Sequence, residues 1–337
     1  MERWTRRQML LGSLAAGGVV LTGCASGSEG NGAAGGAASG FPVTIEHKFG
    51  TTTIERPPAR VVTIGYQEHD FVLALGVAPV GVRYWYGSEN EVIYSWAKPV
   101  AQSLNANPAI LNMDTIDPEK VAALRPDLIL GTYSDLDPQT YAVVSRIAPT
   151  IGIPKGFTDY GLPWQETTRT IGRALGRSDR AEELIADVDR RFAAVRDANP
   201  QFAGKTVAVA SYGADKLGVF ASQDPRSRFF SSLGFRVPPR YDQLAGTSFY
   251  ADLSFEQMAE LDQDLLVWDQ VSFTPGGRKT IETNPLVQRL NATRSRHTVF
   301  LEGATELAFA WNTVLSLPSA LDGVRPLLET AYPRGGV

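Results

Sequence analysis

A stretch that occurs twice constrains this chain more than any other feature. Residues 116–130 read IDPEKVAALRPDLIL and residues 253–267 read LSFEQMAELDQDLLV, so one constant offset places Glu119 on Glu256, Ala122 on Ala259, Leu124 on Leu261, Asp127 on Asp264 and Leu128 on Leu265. Asp117 and Ser254 stand where a helix N-cap belongs, Pro118 takes the first helical position of one copy, and Ser254 with Gln257 forms a capping box in the other. Val121 with Leu124, or Met258 with Leu261, gives the short helix its apolar face. Arg125-Pro126-Asp127 ends the first helix, because proline disfavours the helical conformation in the residue before it and has no amide to donate. Leu128 to Leu130 and Leu265 to Trp268 follow, apolar without alternation, as in a strand covered on both faces. A helix feeding a buried strand, used twice, predicts an α/β fold of mostly parallel sheets in two similar halves.

The remaining pattern agrees. Strands are expected at 60–65 (RVVTIG), 80–82, 127–130 and 150–153, with helices at 70–75, 117–124, 138–147 and after Pro163. The second half repeats the order with a strand at 206–210, a helix ending at Gly234, the repeated unit, a helix near 285–290 and a strand at 298–301. Leu75-Gly76-Val77 has its counterpart in Leu233-Gly234-Phe235. Between the halves lies the longest helical pattern, 178–199. Ser178 can cap it, Asp179, Glu182 and Glu183 load its first turns, Arg190, Arg191 and Arg196 sit toward its end, and Asn199-Pro200 closes it. Ala181, Leu184, Ile185, Val188, Phe192 and Val195 give it one apolar stripe. Such a helix is either a surface helix of one lobe or a rigid strut between two.

The first residues are not expected to join the fold. Arg6-Arg7 precedes an apolar run from Met9 to Leu21, too short to span a bilayer, and Leu21-Thr22-Gly23-Cys24 follows. Residues 1–23 therefore read as a twin-arginine export signal ending in a lipobox, with Cys24, the chain's single cysteine, as the lipidated mature terminus. Residues 24–40, rich in Gly, Ala and Ser, are a flexible tether to the membrane. Removing residues 1–23 takes away Arg3, Arg6, Arg7 and Glu2, which moves the formal charge of −4 by two to −6. An acidic mature chain without basic runs is a poor nucleic-acid binder. The folded part divides into an α/β lobe at 41–177, the connecting helix at 178–199 and a second lobe at 200–337.

In open parallel sheets ligands bind beyond the carboxyl ends of the strands. The residues there are Tyr66 to His69, Arg83, Tyr84, Trp85, Tyr86, Tyr133, Lys155 and Phe157, then Tyr212, Trp268 and Asp269, with Trp311 in the later FAWNTVLSLP segment. Aromatic faces with a few cations suit a bulky organic ligand, with Arg83 or Lys155 donating to its oxygens. Catalysis finds little support: no G-x-G-x-x-G follows either first strand, and no phosphate loop or G-x-S-x-G elbow is present. Asp135 and Asp137 sit in a turn-like stretch where capping explains them. The three histidines and one lipidated cysteine make a poor zinc or manganese site, so no metal ligands and no catalytic residues are assigned.

Taken in order, the lipobox signal, RVVTIG, LALGVAPVGV, PEKVAALRPDLIL, IAPTI, PWQETTRTIGRALG, the long helix and SFEQMAELDQDLLVW resemble the iron-siderophore binding proteins of ABC importers, a helical-backbone (class III) group of substrate-binding proteins. The resemblance covers roughly residues 41–330. It implies two Rossmann-like lobes joined by a single long helix, a ferric siderophore bound in the cleft between them with its iron already coordinated, no cofactor, and a lipid-anchored monomer that delivers its cargo to a permease. It also implies that Glu119 and Glu256, one per lobe, pair with arginines of the permease subunits. The alternatives are haem, with Tyr133 or His69 as axial ligand, or cobalamin, in the same transporter class, and more remotely an exported cofactor enzyme.

Overall fold

In the computed structural model, residues 40–85 and 91–333 are described. The export signal, Cys24, the tether up to residue 39 and Tyr86 lie outside the described residues. Strands β1 (Val43–His47) and β2 (Gly50–Ile54) form an antiparallel hairpin. A parallel sheet follows from β3 (Val61–Thr63), β4 (Gly81–Arg83), β5 (Ala109–Leu111), β6 (Leu128–Gly131) and β7 (Thr150–Gly152), in the order β5-β4-β3-β6-β7. The second sheet contains β8 (Val207–Tyr212), β9 (Leu217–Phe220), β10 (Tyr250–Leu253), β11 (Leu265–Trp268) and β12 (Thr298–Phe300), in the order β10-β9-β8-β11-β12. Its β8, β11 and β12 are parallel, whereas β9 runs antiparallel to both β8 and β10.

The repeated stretch does the same work in both lobes. Asp117 caps the helix Pro118–Ala123 by accepting from the amides of Glu119 and Lys120. Ser254 and Gln257 close their capping box at the start of Phe255–Leu261, although this second copy is a 3-10 helix where an α-helix is expected. The repeated aspartates have a shared role that accounts for them: Asp127 accepts from Ala59 and Arg60 N–H, and Asp264 from Thr206 N–H at 2.8 Å. Each carboxylate pins the entry of the strand that pairs with its own, β3 with β6 and β8 with β11. The Leu-Gly-Val and Leu-Gly-Phe phrases are also equivalent. Gly76 (φ +81°) and Gly234 (φ +99°) end helices in the left-handed region, and the following amides of Val77 and Phe235 reach back to Val72 and Phe230 carbonyls as in a Schellman motif.

Burial alternates in the same register in both copies. Leu128 and Leu130, like Leu265 and Val267, enter one large core, while Ile129, like Leu266 and Trp268, enters the outer core of its own lobe. The helix Ser178–Ala198 joins the two lobes through that large core. Ala181, Val188, Phe192 and Val195 face it, and Phe192 meets Phe229 of the second lobe edge to face at 5.0 Å. Ser178 is the first helical residue, so it does not cap this helix, and no side chain does. The helix Ser316–Ala331 returns from the second lobe and packs on the same core. The hairpin, β5, β9, β10 and the helices Lys98–Ser103 and Gly303–Trp311 have no counterpart among the expected elements.

Candidate functional site

A cleft of about 430 Å³ opens between the lobes, lined by Tyr66, Trp85, Tyr133, Tyr160, Phe220, Arg226, Phe249, Tyr250 and Gln270. That size lies within the range of small-molecule sites. Its first wall stands on the carboxyl ends of β3, β4, β6 and β7. Tyr66 stacks on Trp85 at 5.4 Å, Trp85 meets Tyr133 at 6.4 Å, and Tyr133 meets Tyr160 edge to face at 5.0 Å. Buried Glu68 fixes this wall: its carboxylate accepts from the amides of Tyr133 (2.8 Å) and Gln67 (3.2 Å) and from the Thr132 hydroxyl (3.3 Å). Burial pushes the Glu68 carboxyl up to about 7, against the pull of those donors. Burial also raises the Tyr133 phenol, which remains neutral.

The second wall comes from a different part of its lobe. Phe220 ends β9, Tyr250 begins β10 opposite it, Phe249 precedes that strand, and Gln270 holds a left-handed conformation (φ +58°) after β11. Arg226 lies over the Phe220 ring at 4.5 Å. Its Nε donates to Asp269 at 2.8 Å and its Nη1 faces Asp224 at 3.4 Å. Asp224 also caps the helix Pro225–Ser232 by accepting from Arg226 N–H. Burial raises both carboxyls, and the guanidinium opposes it.

Beneath the cleft the lobes are tied together. Trp311, from the second lobe, packs against Trp85 at 5.0 Å and Tyr94 at 4.7 Å. Buried Asp70 accepts from Trp96 Nε1 (2.7 Å) and from the Thr313 hydroxyl (2.6 Å), which crosses between lobes.

Several expected site residues are placed elsewhere. Arg83, expected to donate to a ligand, is buried under the Tyr66 ring at 4.5 Å. Its five N–H groups go to the Met113, Ile64 and Asp114 carbonyls and to both oxygens of Asp135, so it holds the first wall from behind. Lys155 and Phe157 are exposed on the loop leading to Tyr160 and do not line the cleft, and Tyr84 is half-buried beside it. Tyr212 and Trp268 point into the outer core of the second lobe, with the Tyr212 hydroxyl accepting from Asn284. Trp311 is buried below the lining rings, and Asp269 reaches the site only through Arg226. His69 is likewise buried, which removes it as an axial ligand in the cleft. Asp137 caps the helix Pro138–Val144.

The carboxyl-end rule located the first wall and misplaced the second because β9 and β10 reverse direction there and present an edge to the cleft. Tyr160, Phe249 and Tyr250 carried no sequence signal. One glycine does mark the second wall. A Cβ at Gly218 would collide with the phenol of Tyr250, which crosses that position to reach the Ser211 hydroxyl at 3.2 Å. Gly218→Ala is therefore expected to swing the Tyr250 ring and weaken binding of a cleft ligand about tenfold, or roughly 1.4 kcal/mol. Titration of the variant beside the parent checks this, and denaturant melts should show the overpacked strand losing about 1–3 kcal/mol.

Residues 61–305 match the family model described as periplasmic binding protein. The Fe(3+)-citrate-binding protein YfmC of Bacillus subtilis is 25% identical over 318 residues, covering 93% of each chain. The petrobactin-binding protein YclQ of the same organism is 24% identical, covering 85% of this chain and 88% of the relative. A periplasmic solute binding protein from Mycobacterium smegmatis, of solved structure, superposes with a TM-score of 0.75 at 33% identity, covering 86% of this chain and 98% of that one.

Proposed function

Because the chain belongs to the periplasmic binding protein family, we propose that it is the extracytoplasmic receptor of an ABC importer and that it captures a ferric siderophore between its lobes. The observation that carries this reading is the cleft itself, walled on both sides by aromatic rings with one arginine among its described lining residues. A siderophore completes the coordination of its iron, so the receptor needs ring area and a hydrogen-bond donor rather than iron ligands. Tyr66, Trp85, Tyr133, Tyr160, Phe249 and Tyr250 are the contact residues in this reading, and Arg226 is the donor. The names of the relatives support the cargo class, since those proteins bind ferric citrate and petrobactin. The long helix serves as the strut between a first lobe at 41–177 and a second at 200–337, and it packs into a core shared by both sheets. Cys24 carries the lipid, residues 25–40 are the tether, and the receptor works as a monomer that presents Glu119 and Glu256 to the permease.

Intrinsic fluorescence tests the cargo. Trp85 lies in the cleft wall and Trp311 beneath it, so a ferric chelate seated there should quench both saturably, and its iron-free form should not. Saturable quenching by haem alone, with no response to any ferric chelate, would replace the siderophore by haem.

A further inference from the structure

Among its described residues, the cleft that a ferric chelate would enter has no surplus of positive charge. Among the described lining residues one is cationic, Arg226, and it is held between two carboxylates, Asp224 and Asp269, both fully buried. That trio sums to zero with one carboxylate ionised and to −1 with both. Arg83, the next guanidinium, is sealed under Tyr66 and paired with Asp135. Arg228 donates to the Gly161 carbonyl and lines a separate cavity with Trp164 and Phe192. The rings point the same way, because aromatic faces carry partial negative charge that attracts cations and repels anions.

Ferric chelates differ in charge by class. Three hydroxamates, each −1, neutralise ferric iron and give a chelate of zero charge, or a positive one where a free amine is attached. Three catecholates, each −2, give a trianion. A trianion would leave water for a site where no uncompensated cation among the described lining residues meets it. We propose that this cleft selects neutral or cationic ferric chelates of the trihydroxamate type against tricatecholate trianions. The proposal rests on the reading of the cleft as a ferric-chelate site.

The test titrates the soluble chain by tryptophan fluorescence with a neutral ferric trihydroxamate, a cationic linear ferric trihydroxamate and a ferric tricatecholate. The expected result is that one of the trihydroxamates binds at least about tenfold tighter than the trianion. Raising NaCl from about 0.05 M to about 0.5 M should strengthen whatever trianion binding exists, because salt screens repulsion. Gln270→Lys, which puts an uncompensated cation on the lining, should improve trianion affinity at least about threefold and leave the neutral chelate unimproved. A trianion that binds as tightly as the trihydroxamates, or whose binding weakens with salt, overturns the charge selection and leaves the siderophore reading standing. A chain that no ferric chelate saturates overturns both.

Discussion

Arg226→Ala is expected to destabilise the protein by roughly 3–5 kcal/mol. The guanidinium bridges Asp269 and Asp224, and both carboxylates are fully buried. Removing it does not expose them to water. It leaves one or two buried negative charges without a counterion, which is the costly way to break a buried ion pair. At about 2 °C per kcal/mol for a domain of this size, the melting temperature should fall by about 6–10 °C. The deficit depends on pH in a defined direction. Burial already raises both carboxyls and Arg226 opposes that, so the variant raises them further. A carboxyl whose folded value lies above its unfolded one loses stability as pH rises through the folded value, so the gap between parent and variant should widen from acid to neutral pH and narrow toward pH ~4. Asp269→Asn in the Arg226→Ala background should return part of the loss. Denaturant melts of the parent and variants at acid and neutral pH check all of this, and a pH-independent gap would show that Arg226 acts through packing on Phe220 alone.

That cluster also marks the boundary of what was legible in the chain. The repeat was readable because its parts are local: a cap, a first-turn proline and a burial period that survives in both copies down to the alternation of Leu128, Ile129 and Leu130. The first cleft wall was readable because parallel strands deliver their following residues to one edge, and Tyr66, Trp85 and Tyr133 stand there along the cleft. Arg83 was misread because its burial depends on carbonyls of Met113 and Asp114, about thirty residues away and uninformative in sequence. Tyr212 and Trp268 were misread because nothing local announces that the chain turns back at Gly213, whose amide meets the Lys216 carbonyl, to make the antiparallel β9. Phe249 and Tyr250 reach the site only through that reversal. Pairing across long sequence separation, rather than local propensity, decided the second wall.

Loss of transport without loss of ligand affinity is the expected result of replacing Glu119 and Glu256 together by alanine. Both are exposed, and both occupy the second position of a short helix, Glu119 after Asp117 and Pro118, Glu256 after Ser254 and Phe255. The Ser254 hydroxyl and its own backbone amide hold the Glu256 carboxyl below its ordinary value, so it is ionised at neutral pH. Neither residue lines the cleft. One carboxylate on each lobe, in equivalent local frames, suits a partner built of two similar subunits, each offering a guanidinium in a bidentate pair. Single variants should each slow uptake of the radiolabelled ferric chelate at least about tenfold, and the double variant should reduce it further, since truncating one side of a buried interfacial pair costs several kcal/mol. Affinity measured by fluorescence should stay within about twofold of the parent, and the melting temperature within about 2 °C, as for surface substitutions in general. Charge reversal at either site should be worse than alanine, because like charges across an interface repel as well as fail to pair. Uptake that survives the double variant would remove these carboxylates from the docking surface. A fall in affinity that tracks the fall in uptake would instead place them in the energetics of the cleft.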